Sequence, residues 1–185
     1  CGYLMIILGV DPGSNVTGFG IVRVEGRSCT LIDSGVIRAA KAGDDHTLRL
    51  KRIYDSICIL IGEHIPDLCA IEMPIYGNNP QSMLKLGRAQ ATAMMAALNH
   101  EIPVTEYTPK EIKKAVTGNG NASKEQVRYM VETMLAMPKE GSITLDASDA
   151  LAVALCHVHR GGGTSARASH KNWAAFIKDN PNRIR

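Results

Sequence analysis

The spacing of apolar residues changes from a strand-like to a helix-like pattern after about residue 45. Met5–Val10 is a continuous apolar run that ends at Asp11, which predicts a central strand buried on both faces. Thr17–Val24 and Cys29–Ile37 predict two further strands. Because only short turns connect these three strands, they must be antiparallel neighbours.

Helical spacing first appears over His46–Ile65, and Pro66 marks the end of that helix. Leu68–Glu72 and Pro103–Tyr107 predict two more short strands. Four later helices are predicted at Pro80–Leu98, Pro109–Val116, Ser123–Met137 and Asp146–His159. The order of elements predicts an α/β fold, a mixed five-stranded sheet of three antiparallel strands plus two parallel strands, flanked by helices.

The chain divides into one folded domain and a short tail. Residues 5–160 hold all of the predicted elements and form the domain. Residues 161–172 begin with three glycines and predict a flexible linker. Within residues 173–185, Trp173, Phe176 and Ile177 fall on one face of a short amphipathic segment. We expect this segment to dock on the domain, with a contact to nucleic acid or to a partner as the alternative.

The composition is typical of a globular protein, and we expect it in the cytoplasm. Of its 185 residues, 45% are hydrophobic and 21% are charged, and no apolar run approaches a membrane helix in length. No secretory signal is expected, and we take Met5 to be the native start, preceded by a cloning remnant. The five cysteines form no C-x-x-C pair, which favours buried reduced thiols over a zinc site or disulfides.

Positive charge is concentrated in particular segments. The net charge is +3, yet residues 160–185 alone hold six basic residues and one acidic residue, so the rest of the chain is slightly acidic. Any binding of nucleic acid would therefore depend on local patches. One such patch surrounds Gly118–Gly120 and consists of Lys110, Lys113, Lys114, Lys124 and Arg128. It is either a solvated surface or, given the helix N-terminus expected at Ser123, a site for phosphate groups.

Four acidic residues fall where the predicted fold would gather them. Asp11 ends the first strand and Glu72 ends the fourth. Asp146 and Asp149 lie three residues apart on one face of the last helix. The first and fourth strands are expected to be parallel neighbours, so their carboxyl ends share the edge at which such sheets bind ligands. Clustered carboxylates repel one another, and we therefore expect a Mg²⁺ site suited to cutting a phosphodiester bond.

Each acidic residue also has an explanation that involves no metal. Asp11 precedes a Pro-Gly pair and suits a turn, Asp146 suits an N-cap, and Asp149 suits the first turn of a helix. The joint placement of all four favours the metal site. His157 and His159 lie more than two helical turns beyond Asp149, so we interpret them as helix-end residues and not as ligands.

Four stretches of the chain match a known family. They are Ile7–Gly20, with the sequence ILGVDPGSNVTGFG, and Ala70–Glu72, Ser82–Gln90 and Asp146–Ala154. Over about residues 5–160 the chain resembles the RuvC family of bacterial Holliday-junction resolvases, in the RNase H-like superfamily. The resemblance implies a homodimeric endonuclease with two Mg²⁺ ions per active site, replaceable by Mn²⁺. It implies paired symmetric nicks in four-way DNA junctions that leave 5′-phosphates, a role in recombination and repair, and the RuvA–RuvB branch-migration complex as a partner.

The resemblance also assigns site residues. The four catalytic acids of the family correspond to Asp11, Glu72, Asp146 and Asp149, and two lysines near the DNA correspond to Lys113 and Lys124. In many members a Phe in the loop after the catalytic Glu stacks at the junction crossover. The aligned position is Ile75, with Tyr76 beside it, and either residue is a candidate for this wedge.

The assembly and the alternative functions can also be considered from the sequence. The helix Pro80–Leu98 carries more apolar and small residues than one buried face requires, which agrees with the implied dimer. The alternatives to a junction resolvase are another RNase H-like nuclease and an inactive junction-binding module. The presence of all four acidic residues argues against the inactive module.

Overall fold

The computed structural model describes residues 4–41, 44–75, 77, 79–137 and 143–160. Every strand and helix predicted within residues 5–160 is present, in the predicted order. The elements are β1 (Leu4–Asp11), β2 (Val16–Glu25), β3 (Ser28–Arg38), α1 (His46–His64), β4 (Leu68–Glu72), α2 (Pro80–Asn99), β5 (Val104–Tyr107), α3 (Pro109–Thr117), α4 (Lys124–Met134) and α5 (Leu145–His159). The predicted linker over residues 161–172, the predicted segment over residues 173–185 and Tyr76 lie outside the described residues, so the division at residue 160 stays a prediction.

The five strands form one mixed sheet in the order β3-β2-β1-β4-β5. β1 pairs antiparallel with β2, and β2 antiparallel with β3, whereas β4 runs parallel to both β1 and β5. This confirms the predicted sheet. Val10 pairs with Ile71 in the register between β1 and β4, so Asp11 and Glu72 are the next residues along two neighbouring strands. The two carboxylates therefore lie side by side at one sheet edge.

Helices cover both faces of the sheet. α3, α4 and α5 pack on the face that includes Ile7 and Ala70, whereas α1 and α2 pack on the face that includes Leu8 and Ile71. Since side chains alternate along a strand, Asp11 and Glu72 belong to the same face as Ile7 and Ala70. The two acids are thus directed toward the side of the sheet that α5 covers.

Two glycines allow α5 to lie directly on the sheet. A Cβ atom added at Gly9 would be 2.2 Å from the Ala150 carbonyl oxygen, and one at Gly18 would be 2.1 Å from the Asp146 carbonyl oxygen. Real Cβ atoms do not approach backbone this closely, so only glycine fits at these two positions. The close approach brings the start of α5 to the same edge as Asp11.

Two helix ends differ from the sequence predictions. α4 ends at Met134 instead of Met137, because Leu135 caps it and Ala136 takes a left-handed φ of 48°. α5 is capped by Thr144, whose hydroxyl oxygen accepts a hydrogen bond from the Ala147 amide. Asp146 is therefore not the N-cap, which removes one of the structural explanations for this acid.

The expectations about membrane helices and about cysteines can be compared with the described residues. No helix in the described part of the protein is both long and apolar enough to span a bilayer. The cysteines that the structure describes, Cys29, Cys58, Cys69 and Cys156, are all unpaired thiols, and Cys69 and Cys156 are buried. Burial raises the pKa of the Cys69 thiol to about 12, which keeps it protonated and unreactive.

Candidate active site

A pocket of about 180 Å³ opens at the carboxyl ends of β1 and β4. Acidic and basic side chains share its wall with apolar ones. It is lined by Asp11, Glu72, Asp149, Lys113, Lys124, Ile75, Pro109, Ile112, Val127 and Ala152. We call this the acidic pocket. Asp146, the fourth predicted acid, adjoins it, and its charge acts on Asp11.

Short-range hydrogen bonds fix the chain on either side of the two strand ends. Thr17 is fully buried, and its hydroxyl donates to the Gly13 carbonyl at 2.8 Å and accepts from the Gly13 amide at 3.2 Å. These bonds close the turn that follows Asp11. Beyond Glu72, the Met73 amide donates to the Tyr107 carbonyl at 2.8 Å. These hydrogen bonds fix the backbone that follows each of the two carboxylates.

Burial and mutual repulsion make the two strand-end acids hard to ionise. Burial raises the pKa of Asp11 to about 6, with further increases from the charges of Asp149 and Asp146. Burial also raises the pKa of Glu72 to about 8, followed by the charges of Asp11 and Asp149. The metal-free site therefore favours the protonated forms of these two acids, and a bound cation would favour their ionised forms.

Lys124 supplies part of that compensation. Its Nζ donates a hydrogen bond to Asp149 Oδ2 at 2.6 Å, with only 14% of the Asp149 side chain exposed. This bond raises the pKa of Lys124, so the ammonium stays charged. Within five residues along the chain, none of the four acids has a basic neighbour. The fold supplies one from α4.

The donor set fits a hard divalent cation in its chemistry. Three carboxylates line the pocket and a fourth adjoins it, and oxygen atoms are the ligands that Mg²⁺ prefers. The raised pKa values of Asp11 and Glu72 come first from burial and then from neighbouring carboxylates, and a bound cation would offset both effects. Within the described residues, however, no three His, Cys, Asp or Glu side chains already form a metal-binding group. A cation that uses Asp149 has to share it with Lys124 or displace the lysine.

The residues predicted to contact DNA fall into three groups. Lys113, Lys124 and Ile75 line the acidic pocket, and Ile75 is 65% exposed. Lys110 and Lys114 are exposed on α3. Arg128 instead forms an ion pair with Glu132 at 3.0 Å.

One buried pair beside the site was not foreseen from the sequence. Tyr107 Oη lies 2.8 Å from His157 Nδ1, and both residues are buried. Tyr107 is the register partner of Glu72 in the pairing of β4 with β5. His157 is thus a support for the strand end next to Glu72, and not simply a helix-end residue. The signal in the sequence was a tyrosine closing a buried strand, since a buried phenol needs a hydrogen-bond partner.

Comparison with known proteins identifies the family. The family model described as "Crossover junction endodeoxyribonuclease RuvC" matches residues 7–157. The chain belongs to the RuvC family. RuvC of Salinibacter ruber is 55% identical over 180 residues, which cover 97% of this chain and 99% of that protein. RuvC of Porphyromonas gingivalis is 51% identical over 184 residues, 97% of each chain.

Solved structures agree with this membership. Thermus thermophilus RuvC in complex with a Holliday junction substrate matches with a TM-score of 0.78 and 30% identity, over 85% of this chain and 94% of that one. A yeast mitochondrial Holliday junction resolvase matches with a TM-score of 0.56 at 14% identity, which shows the fold alone. The fold is RNase H-like, and both the predicted fold class and the predicted family are confirmed.

Proposed function

We propose that this protein is a divalent-metal-dependent endonuclease that resolves four-way DNA junctions by paired symmetric nicks in recombination and repair. The observation that carries the proposal is the acidic pocket, where Asp11, Glu72 and Asp149 meet Lys113 and Lys124 at one sheet edge. Family membership supports it, since a RuvC relative has been solved in complex with a Holliday junction substrate.

Mg²⁺ is the proposed cofactor, with two ions per site and Mn²⁺ able to replace them. Asp11, Glu72, Asp146 and Asp149 would hold the ions. Bound there, the cations would activate the attacking water and stabilise the charge that develops on the phosphate and the leaving oxygen. The half-buried position of the carboxylates supports this assignment, because charge–charge attraction is stronger where water is partly excluded.

The protein's own side chains would attract and orient the DNA. Lys113 and Lys124 line the pocket from α3 and α4, so a phosphate group that enters it meets two ammonium groups beside the acids. They offset the repulsion between the carboxylates and the phosphate. Cleavage that leaves a 5′-phosphate and a 3′-hydroxyl gives ends that a ligase can join directly.

The loop after Glu72 would act at the junction crossover. Ile75 lies at the pocket wall with most of its side chain in solvent, as expected for an aliphatic wedge between base steps. Tyr76, which lies outside the described residues, offers the aromatic face that stacks better on a base. The assignment of the wedge to Tyr76 stays a prediction.

A homodimer is the proposed assembly. Leu84, Met95 and Leu98 are 56%, 49% and 48% exposed, and their spacing places them on one face of α2. The opposite face of α2 is buried in the core through four alanines, Ala89, Ala93, Ala96 and Ala97. A second copy covering the exposed face would present two active sites to two symmetry-related strands. Partnership with RuvA–RuvB rests on the family resemblance, and the proposed cytoplasmic location rests on the composition.

A cleavage assay on a synthetic mobile four-way junction tests the proposal. We expect Mg²⁺-dependent paired nicks that ligase seals, loss of cleavage in EDTA, and no comparable cleavage of linear duplex or RNA–DNA hybrid. Asp11→Asn, Asp146→Asn and Asp149→Asn should abolish or greatly reduce cleavage and keep junction binding. Preferred cleavage of the hybrid would identify another RNase H-like nuclease. Binding without cleavage in both Mg²⁺ and Mn²⁺ would identify an inactive junction-binding module.

A further inference from the structure

A second pocket, of about 310 Å³, lies on the other face of the sheet from Lys113 and Lys124. It opens between the β1–β2 turn and the facing sides of α1 and α2. We call it the α1–α2 pocket. It is lined by Ser14, Asn15, Arg49, Ser82, Lys85 and Leu86.

The α1–α2 pocket gathers positive charge that no acid within reach neutralises. Among the described residues, Arg49, Lys85 and Arg88 form no ion pair within 4.0 Å. Asp45, the acid beside His46 in the chain, accepts hydrogen bonds from Thr47 and Leu48 as the cap of α1. Arg49 and Lys85 line the pocket itself, so both charges can attract an anion that binds between them.

Unpaired polar atoms also point to a missing partner. Arg49 donates through one terminal nitrogen to Asn15 Oδ1 at 2.6 Å, but its Nε is buried without a hydrogen-bond partner. Both ring nitrogens of His46 are likewise buried and unpartnered. Burial, followed by the charges of Arg88, Lys85 and Arg49, lowers the pKa of His46, which agrees with a positively charged neighbourhood. Buried donors without partners are rare in folded proteins.

The α1–α2 pocket lies close to the sheet edge that carries Asp11. Ser14 follows Asp11 by three residues and so lies at most about 11 Å from it. Measured along the axis of a duplex, at about 3.4 Å per nucleotide of one strand, that distance spans at most about three nucleotides. The acids thus lie between lysines on one face of the sheet and Arg49 and Lys85 on the other.

We propose that the α1–α2 pocket binds a backbone phosphate of the junction, one to three nucleotides from the phosphate that is cleaved. The inference rests on the proposed function, because it takes the cleaved phosphate to lie at the acidic pocket. An arginine fork, an ammonium and two serine hydroxyls offer donors to phosphate oxygens. Such contacts fix the position of the strand and carry no sequence preference.

The site remains open in the proposed dimer. Lys85 follows Leu84 along α2 and therefore lies about 100° around the helix from the exposed apolar face. A second copy that covers Leu84, Met95 and Leu98 does not have to cover Lys85 or Ser82. The phosphate contact and the dimer contact use different sides of one helix.

Salt-dependent binding of the junction in EDTA, where no cleavage occurs, gives the first test. The variants are Lys85→Ala and Arg49→Gln. The matched control is Lys51→Ala, which removes the same charge from α1, where Lys51 pairs with Asp55 at 2.5 Å. We expect each pocket variant to lower the slope of log affinity against log salt by about 0.9, and the control to keep the wild-type slope. Slopes equal to the control would overturn the proposal.

Neutral methylphosphonates at single positions give the second test. A methylphosphonate at one position, one to three nucleotides from the cleaved phosphate, should weaken binding by wild type and by Lys51→Ala. The same modification should not weaken binding by Lys85→Ala, which has already lost the contact. Equal losses for all proteins at every position contradict the proposal. If Arg49→Gln does not fold, the results for Lys85→Ala, a change at an exposed position, decide the test.

The two proposals fail in different ways. If wild type binds the junction but does not cut it in Mg²⁺, the proposed activity is wrong, while the coupling between Lys85 and one phosphate can still be measured. If wild type cuts normally and the coupling is absent, only the α1–α2 pocket is wrong.

Discussion

Lys124 Nζ lies 2.6 Å from Asp149 Oδ2, and this contact joins the start of α4 to the start of α5. The same ammonium faces the acidic pocket, where its charge lowers the pKa of both Asp11 and Glu72. Lys124 therefore stabilises the acids when no metal is bound, and it competes with a cation for Asp149. It also attracts the phosphate of the substrate, so removing it should change metal binding and DNA cleavage in opposite directions.

Lys124→Gln should bind Mn²⁺ more tightly in the absence of DNA and cleave junctions more slowly at saturating metal. A unit charge and a divalent cation about 4 Å apart in water repel by about 2 kcal/mol, which corresponds to about thirtyfold in affinity. An electron paramagnetic resonance titration of free Mn²⁺ measures the first effect, and single-turnover cleavage the second. Lys51→Ala serves as the control for net charge. Weaker Mn²⁺ binding by Lys124→Gln would mean that the lysine organises the carboxylates instead of competing with the metal.

Glu72→Gln should stabilise the metal-free protein at alkaline pH while it abolishes cleavage. The pKa of Glu72 is raised to about 8, so the folded state holds a proton that the unfolded chain releases near its ordinary value of 4.5. Stability of the wild type in EDTA is therefore lost as the pH rises from about 4.5 through 8. Glu72→Gln avoids this loss.

Thermal melting at pH 5 and pH 9 checks this prediction. The variant's advantage in Tm should grow with pH and reach a few degrees, since about 1 kcal/mol shifts Tm by 2–4 °C in a protein of this size. Added Mg²⁺ should reduce the difference at pH 9. A difference in Tm that does not vary with pH would show that Glu72 carries no raised pKa in the folded state.

Gly9→Ala should destabilise the protein and reduce cleavage by the fraction that still folds. The new methyl group would meet the Ala150 backbone at 2.2 Å, so α5 has to move away from β1, at a cost of about 1–3 kcal/mol. Gly62→Ala is the control, because nothing lies within 4 Å of a Cβ there and the exposed helical position should gain about 0.5–1 kcal/mol. Urea denaturation measures both. Wild-type stability of Gly9→Ala would contradict the close contact between α5 and the sheet.

Glu111→Ala should weaken the start of α3, which carries Lys113. A hydrogen bond from the Thr108 amide, followed by the bond from Arg160, lowers the pKa of Glu111 to about 2. Its contribution, about 0.5–1 kcal/mol for such a cap, is fully present above pH 4.5 and is lost as the pH falls through 2. Urea denaturation of wild type and variant should give a difference that shrinks between pH 5 and pH 2. Arg160→Gln removes only the ion pair, so its loss of stability should be smaller than that of Glu111→Ala.

Local sequence patterns were enough to predict the strand ends that build the site. Two buried apolar runs end in Asp11 and Glu72, and short turns force the first three strands to be antiparallel, so the shared edge follows from connectivity. The helical spacing of Asp146 and Asp149 could be read directly, but the cap at Thr144 could not be separated from one at Asp146. Both residues are suitable N-caps, and backbone geometry decides between them.

Contacts between distant segments were not predictable in the same way. Lys124 reaches Asp149 only because α4 packs against α5, and Arg49 approaches Lys85 only because α1 packs against α2. Such convergence depends on helix orientation, which a periodic pattern does not specify. His157 is an example of the same limit, since its burial depends on the position of Tyr107 on β5.

The loop after Glu72 gives the last prediction. Ile75 is 65% exposed at the wall of the acidic pocket, so Ile75→Ala removes little buried surface and should fold and dimerise normally. An aliphatic side chain can only wedge between bases, whereas an aromatic ring adds about 1–3 kcal/mol of stacking per base. Tyr76→Ala should therefore impair junction cleavage more than Ile75→Ala.

Fluorescence of 2-aminopurine at the crossover, recorded beside the cleavage rate, separates these roles. Wild type should unstack the base and increase the fluorescence on binding. Ile75→Ala should keep most of that increase, and Tyr76→Ala should lose it together with the rate. If Tyr76→Ala keeps both, the stacking contact is not made by Tyr76. A larger loss for Ile75→Ala would assign the wedge to the aliphatic side chain at the pocket wall, where shape and not stacking would open the junction.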